Sequence, residues 1–222
     1  MQPSPEDREA VGRRARTVLR RLRRRYPEIE TALRHGSPWQ LLVATVLSAQ
    51  TTDDTVNRVT PVLFARWPSP EDLAAADPEE VEGVVRPTGY YRQKTRAVIE
   101  LCSELVDRFG GEVPDDMESL VSLKGVGRKT ASVVLAEAWG KPAIAVDTHV
   151  GRVSRRLGLT AATDPAKVES DLKDLFPRSV WVGVSMRFIQ FGRDTCDAKR
   201  PRCWECDLAD LCPFPDKTPG PG

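Results

Sequence analysis

Residues 120–134 constrain the fold of this chain more than any other segment. They read as two apolar helix faces separated by Gly125-Val126-Gly127, and the apolar or small positions are Leu120, Leu123, Ala131 and Val134. Glycine permits positive φ and the close approach of another surface, so two glycines one residue apart allow a very tight turn. The pattern therefore predicts two helices that pack closely across a turn in which both glycines use this freedom.

Start and stop signals for further helices recur along the chain. A capping side chain comes directly before a proline at Ser37-Pro38, Asp77-Pro78 and Asp164-Pro165. Glycines at 110 and 140 close apolar segments of helical period, and no convincing period-two strand pattern occurs. We therefore predict an all-α protein of many short helices, with a boundary near 141–146 and a disordered tail over 215–222.

Composition argues against a membrane protein. Hydrophobic residues make up 40% of the 222 residues, and no uninterrupted apolar run is long enough to cross a bilayer. The first residues lack an apolar signal core, and the acidic Glu6, Asp7 and Glu9 argue against a transit peptide. We therefore expect a soluble cytoplasmic protein, associated with the nucleoid if it is bacterial.

Charge is balanced overall but unevenly distributed. Lys and Arg number 33 against 32 Asp and Glu, yet residues 8–25 contain nine arginines and a single acid, Glu9. Such a run is either a solvated helix face or a surface that contacts phosphate. Charge alone leaves both interpretations open.

The glycine turn at 125–127 also suggests a function. The free N–H groups at the start of the second helix form an anion site, and the absence of side chains lets a phosphate approach them. This is the form of a helix-hairpin-helix, which grips the DNA backbone without reading its sequence. The alternative is a plain helical hairpin, but the apolar spacing on both sides favours DNA.

Lys129 lies in the first turn of that second helix. The positive helix end, the adjacent Arg128 and any partial burial would favour the neutral amine, which is a nucleophile. Such an amine could attack the anomeric carbon of an extruded nucleotide, displace the base and leave a Schiff base that permits strand cleavage by β-elimination. The alternative is an exposed lysine that contacts phosphate.

Asp147 follows the apolar run 144–146 and is suited to cap the next helix. A carboxylate at a helix start stays ionised, and near Lys129 it could polarise the amine or stabilise positive charge on the sugar. Capping and catalysis are compatible. His149 is a further candidate, although a packed, hydrogen-bonded histidine is the commoner case.

Four cysteines close the sequence, at Cys196, Cys203, Cys206 and Cys212. Closely spaced thiols without a secretory signal predict metal ligands, and the spacing allows a structural zinc or a [4Fe–4S] cluster. Three basic residues lie among them and are expected to contact the DNA backbone or to be solvated: Lys199, Arg200 and Arg202. The fifth cysteine, Cys102, shares the apolar side of a helix and is expected in the core.

Taken together, the segment 123–131, the segment Val146-Asp147-Thr148-His149 and the cysteine spacing resemble the endonuclease III family of helix-hairpin-helix DNA glycosylases. The resemblance runs from about Ser37 to Cys212. It favours the [4Fe–4S] cluster over zinc. It also implies excision of oxidised pyrimidines from duplex DNA with cleavage at the abasic site, Lys129 being the nucleophile and Asp147 its carboxylate partner.

The resemblance further implies an architecture. A monomer with two lobes is expected: a six-helix barrel over 31–141 and a cluster domain from 1–30 and 142–214, with DNA in the cleft between them. Gln50 would fill the gap left by the flipped nucleotide, and Tyr90 would act as a wedge in the stack. Three residues would support the site without touching the reacting atoms: Ser48, Asp53 and His149.

Two positions bear on related enzymes. Lys124 stands where proline is common, which could add a phosphate contact and loosen the turn. Adenine-removing relatives are expected to carry a glutamate at the position of Ala44 and to lack the lysine, whereas oxidised-guanine glycosylases usually lack the cysteines. A DNA-binding iron-sulfur sensor without catalysis is a further alternative, against which the presence of Lys129 and Asp147 argues.

Overall fold

The computed structural model describes residues 5–29 and 31–220, and within these ranges it contains helices but no β-strand. The prediction of an all-α protein is therefore confirmed. The α-helices are α1 (Pro5–Arg25), α2 (Pro38–Leu47), α3 (Asp53–Arg66), α4 (Pro70–Ala74), α5 (Pro78–Val85), α6 (Tyr91–Phe109), α7 (Met117–Ser122), α8 (Arg128–Trp139), α9 (Thr148–Arg156), α10 (Pro165–Leu175) and α11 (Trp181–Asp194). Short 3₁₀ turns occupy Arg86–Thr88, Arg178–Val180 and Cys203–Glu205. No helix in the described part of the chain has the length and apolar character needed to cross a membrane.

The chain divides into two compact units, one of residues 31–141 and one of residues 1–30 with 142–222. The first holds α2 to α8, one helix more than the six expected. Among them is the single-turn α4, which forms because Ser69 caps the Asp72 N–H and Pro70 fills the first helical position.

Local chemistry explains most helix ends. Asp77 and Asp164 accept the N–H groups of Glu79 and Lys167 at 2.7 and 2.9 Å, so both predicted caps are confirmed. The glycines at 110 and 140 end α6 and α8 with φ of 61°, a left-handed conformation that residues with a Cβ adopt at a cost.

Each unit has its own apolar core. The first buries side chains from α2, α3 and α6, including Leu41, Leu63 and Leu101, and Cys102 is buried with them as predicted. The second buries one side of α1 against α10 and α11, where Phe176 and Phe188 meet edge to face at 6.2 Å.

The segment predicted to be a disordered tail is tied down over its described part. Lys217 Nζ donates to the Ala209 carbonyl at 2.8 Å, and the Thr218 hydroxyl donates to the Pro201 carbonyl. A Cβ placed on Gly220 would lie 3.5 Å from the Trp204 side chain. Residues 215–220 are therefore held against the cysteine segment, and Pro221 and Gly222 lie outside the described residues.

Candidate active site and cysteine cavity

The hairpin consists of α7, a turn over 123–127 and α8. Gly125 has φ of 74°, as predicted, and a Cβ placed on it would lie 3.6 Å from the Ala97 Cβ. Gly127 differs from the prediction, since its φ of −84° and ψ of 169° are extended values open to any residue. A Cβ on Gly127 would meet no protein atom within 4 Å. The use of Gly127 is therefore to leave the start of α8 uncovered, and Gly125 alone makes the turn.

Helix α6 braces this turn, which lacks the proline expected of the family. Glu104 Oε2 accepts the Lys124 N–H at 3.0 Å, and Arg108 Nη2 donates to the Ser122 hydroxyl at 2.7 Å. The Lys124 ammonium itself lies 3.7 Å from Glu100 Oε2. Hydrogen bonds from a neighbouring helix thus replace the rigidity that proline would supply.

Lys129 is the second residue of α8 and is exposed. Its side chain therefore leaves the helix on the solvent side. Among the described residues of its unit, no hydrogen bond or ion pair engages the amine. It stands one residue from the uncovered amides at the start of α8, where an anion would bind.

Asp147 belongs to the other unit and is the N-cap of α9, as its sequence position predicts. Its Oδ1 accepts the Val150 N–H at 2.8 Å, and the residue is half-buried. Within the described part of this unit, no hydrogen bond engages Oδ2. One carboxylate oxygen therefore positions the side chain while the other remains available.

His149 packs where α9 meets α11. Arg152 Nη2 lies 3.0 Å from His149 Nδ1 and also donates to the Gly192 carbonyl at 2.9 Å. Burial lowers the pKa of His149, as do the nearby Arg152 and Arg193, whereas Asp147 opposes the change. A histidine held neutral between two helices fits a supporting role.

Gln50 and Tyr90 are both exposed and share a rare backbone conformation. Among the described residues, these two alone combine a side chain with positive φ, at 53° and 48°. A left-handed conformation in such residues costs about 1 to 3 kcal/mol and is concentrated at functional sites. Ser48 ends α2 and donates to the Thr45 carbonyl at 2.8 Å, whereas Asp53 begins α3.

The four C-terminal cysteines line one cavity, and all are free thiols. No group of His, Cys, Asp or Glu in the described residues lies close enough to hold a single metal ion. Four sulfurs around one zinc would lie roughly 4 Å apart, given Zn–S bonds of about 2.3 Å. In the described part of the chain the thiols therefore line one cavity without forming a closed four-sulfur zinc site.

Two arginines of α9 hold the first cysteine of this segment. Arg152 Nε donates to the Cys196 carbonyl at 3.0 Å, and Arg156 Nη1 lies 3.3 Å from Cys196 Sγ. Burial raises the pKa of Cys206 to about 11 and also raises that of Cys212. A positively charged group in the cavity would reverse this preference for the neutral thiol.

The basic residues of the cysteine segment differ in their surroundings. Arg202 Nε pairs with Glu205 at 3.0 Å and its guanidinium also donates to the Asp194 carbonyl, so its charge is largely used within the segment. Lys199 and Arg200 are exposed, and their side chains have no ion pair in the described part of the chain. Their backbone N–H groups both bind Asp197 Oδ1.

Two arginines of the N-terminal run form ion pairs with residues of their own unit. Arg21 makes a double contact with Asp210, including an Nη2–Oδ2 bond of 2.8 Å, and Arg25 pairs with Asp207 at 3.2 Å. These contacts fasten α1 to the cysteine segment. The run therefore has a structural use that its charge alone did not indicate.

Sequence reasoning missed Lys94 as well as the two α9 arginines. Lys94 is 5% exposed and donates to the Thr88 carbonyl at 2.7 Å. A signal was present, because Lys94 is in phase with the buried Val98, Leu101 and Leu105 of α6.

Residues 43–178 match the family described as HhH-GPD superfamily base excision DNA repair protein. The endonuclease III of Synechocystis sp. is 49% identical over 201 residues, which cover 90% of this chain and 92% of that protein. The Bacillus subtilis endonuclease III is 47% identical, with 84% and 86% covered. A trapped endonuclease III–DNA covalent intermediate superposes with a TM-score of 0.88 at 44% identity, over 91% of this chain and 96% of that one.

The superfamily match defines a base excision DNA repair protein with the helix-hairpin-helix glycosylase fold. Within that class, the chain belongs to the endonuclease III family. It is accordingly an enzyme, of the DNA glycosylase and abasic-site lyase type.

Proposed function

We propose that this enzyme excises oxidised pyrimidines from duplex DNA and then cleaves the abasic site by β-elimination through a Schiff base on Lys129. The observation that carries the proposal is the position of Lys129, exposed in the first turn of α8 and directly beyond the glycine hairpin. A hairpin that binds phosphate through its amides brings that amine to the sugar of the bound strand.

The proposed reaction begins with attack of the Lys129 amine on the anomeric carbon. The glycosidic bond breaks, the base departs with the bonding electrons, and loss of the amine proton and opening of the sugar ring leave a protonated imine. Removal of a proton from the adjacent sugar carbon then expels the 3′ phosphate. Water finally hydrolyses the imine and frees Lys129.

Asp147 would serve this reaction through its unengaged oxygen. Because Oδ1 accepts the Val150 N–H, the carboxylate is held in one orientation before substrate binds. Oδ2 would then accept the amine proton or stabilise the positive charge that develops on the sugar. The cap and the catalytic role thus use different atoms of one side chain.

Pyrimidine damage is the substrate class that the residues favour. Ala44 is fully buried in α2 and offers no carboxylate for protonating a purine. The combination of Lys129 with four C-terminal cysteines also argues against the adenine-removing and oxidised-guanine enzymes. A panel of duplexes, each with one oxidised base, tests this assignment; preferential excision of a purine lesion would overturn it.

DNA would be held at several points that the fold leaves exposed. The hairpin amides at Gly125 and Gly127 and the free cations of Lys199 and Arg200 suit backbone phosphates, which carry no sequence information. Gln50 would occupy the space of the extruded nucleotide and Tyr90, 62% exposed, would wedge into the stack. We propose a monomer that acts in the cytoplasm, on the nucleoid if the source is bacterial.

We also propose that Cys196, Cys203, Cys206 and Cys212 hold a [4Fe–4S] cluster. The residues fit it, since four thiols line one cavity and N–H groups of Arg156 and Leu208 point at two of the sulfurs, at 3.3 and 3.4 Å. When bound, such a cluster supplies a one-electron redox centre and braces the segment that carries Lys199 and Arg200. A visible absorption spectrum tests the assignment, because a zinc protein would be colourless.

Borohydride trapping tests the mechanism. Incubation with damaged duplex and borohydride should give a permanent enzyme–DNA crosslink, since only a Schiff base can be reduced in this way. Lys129→Ala should abolish it, whereas Lys124→Ala in the same hairpin should still crosslink. An undiminished crosslink in Lys129→Ala, or none in the wild type, would contradict the proposal.

A further inference from the structure

The segments that carry Gln50 and Tyr90 meet at a single backbone oxygen. The Thr51 hydroxyl, one residue after Gln50, donates to the Thr88 carbonyl, and Lys94 Nζ donates to the same oxygen at 2.7 Å. Thr88 stands two residues before Tyr90. One carbonyl therefore links the segments of the two non-glycine residues that have positive φ in the described chain.

Lys94 is an unusual residue to find in this position. Its side chain is buried in α6, where burial lowers its pKa, and Thr88 O is its one hydrogen-bond acceptor within the described residues of its unit. Lysine is almost never fully buried without a partner, because removing an ammonium from water is costly. The buried ammonium of Lys94 donates a charge-assisted hydrogen bond, which is stronger and more directional than a hydrogen bond between neutral groups.

The same oxygen lies next to the strained backbone. Thr88 ends the 3₁₀ turn Arg86–Thr88, Gly89 follows with φ of 69°, and Tyr90 is the N-cap of α6 with φ of 48°. On the other side, Gln50 precedes Thr51 with φ of 53°. Left-handed residues persist only where their surroundings over-determine them. Two donors on one carbonyl provide such a restraint on both segments at once.

We propose that Lys94 and Thr51 are positioning residues that clamp the Thr88 carbonyl and so hold Gln50 and Tyr90 ready to enter the DNA stack together. This inference rests on the proposed function, in which Gln50 occupies the space of the extruded nucleotide and Tyr90 wedges into the stack. The clamp orders both segments before DNA binds, so the protein loses less conformational entropy when it binds damaged DNA. The proposal gives neither Lys94 nor Thr51 a contact with the reacting atoms.

The test uses a duplex with a tetrahydrofuran abasic site opposite 2-aminopurine, whose fluorescence rises when it loses its stacking partners. This duplex has no base to excise and no anomeric oxygen for Schiff-base formation. It therefore reports entry into the stack independently of catalysis. Affinity for the same duplex without the abasic site measures backbone binding alone.

Thr51→Val removes the hydroxyl but keeps the shape of the side chain, and it should weaken binding to the abasic duplex about fivefold and reduce the fluorescence rise. Thr51→Ser, which keeps the hydroxyl, should restore both. Lys94→Met keeps the buried aliphatic part of the side chain but removes the charge. It should weaken binding to the abasic duplex about tenfold or more. Affinity for undamaged duplex should change less than twofold in all three variants.

The clamp is wrong if Thr51→Val matches the wild type on the abasic duplex, or if it loses affinity equally for damaged and undamaged DNA. If Lys94→Met does not fold, the Thr51 pair decides the question alone. If the variants bind as expected but the wild-type enzyme excises no oxidised pyrimidine, the proposed function is wrong and the clamp is still supported.

Discussion

Arg156 Nη1 lies 3.3 Å from Cys196 Sγ and also donates to the Asp197 carbonyl at 2.6 Å. Both contacts start from α9, the helix that Asp147 caps at its other end. The cysteine segment and the candidate catalytic carboxylate are therefore fastened to the two ends of one nine-residue helix. Distortion at either end can be transmitted along that rigid element.

Replacing Arg156 by Met should make the cysteine cavity less able to retain the proposed [4Fe–4S] cluster. The variant loses the contact with Cys196 Sγ, several bonds to backbone carbonyls and the stacking of the guanidinium on Phe214. The visible absorbance should decay faster on warming than in the wild type. Arg155→Met is the matched control, because Arg155 makes one long hydrogen bond of 3.5 Å, and equal decay rates in the two variants would contradict the prediction.

Asp147 variants should separate capping from catalysis. Asn caps a helix about as well as Asp, so Asp147→Asn should leave the free energy of unfolding nearly unchanged but slow single-turnover excision by about 10²-fold or more. Asp147→Ala should also destabilise the protein by about 0.5 to 2 kcal/mol. Denaturant unfolding and excision kinetics measure the two effects, and full activity in Asp147→Asn would rule out the carboxylate role.

The two hairpin glycines should respond differently to alanine. Gly125→Ala forces a Cβ into φ of 74° and should cost about 1 to 2 kcal/mol of stability. Gly127→Ala has an extended backbone and open space, so its stability should stay within about 0.5 kcal/mol. Its affinity for undamaged duplex should fall instead, because the new Cβ occupies the approach to the α8 amides. Unchanged affinity would argue against phosphate binding there.

His149 should make stability depend on pH. The folded state lowers its pKa below the ordinary 6.5, so protons bind the unfolded chain more readily. This contribution to stability is complete above about pH 6.5 and is lost as the pH falls from there to the lowered pKa. Denaturant unfolding of His149→Gln should show a shallower loss over that window than the wild type, and parallel curves would contradict the assignment.

Local chemistry made several features predictable. The roles of Asp77 and Asp164 as helix caps follow from their side chains, and the role of Gly140 at a helix end follows from its lack of one. The adjacent sequence is therefore enough to identify all three. Cys102 likewise follows the apolar period of α6. The hairpin was foreseeable for the same reason, although the backbone of Gly127 was not, because glycine is compatible with both left-handed and extended conformations.

Other features depend on contacts that sequence order conceals. The buried Lys94 ammonium donates to the Thr88 carbonyl, and Gln50 takes positive φ although its residue type gives no sign of it. The exposure of Lys129 depends on which side of α8 packs inward. The catalytic roles of Lys129 and Asp147 remain predictions that the experiments above address.

Helix α1 is synthesised long before the helices against which it packs. It packs against α10 and α11, and α10 begins 140 residues after α1 ends, from 25 to 165. At about 5 to 20 residues per second, Val18 and Leu22 wait about 7 to 28 s for their partners, while all of 31–141 is translated. The arginines that crowd this helix give the waiting segment a strong positive charge, which opposes premature aggregation of its apolar side.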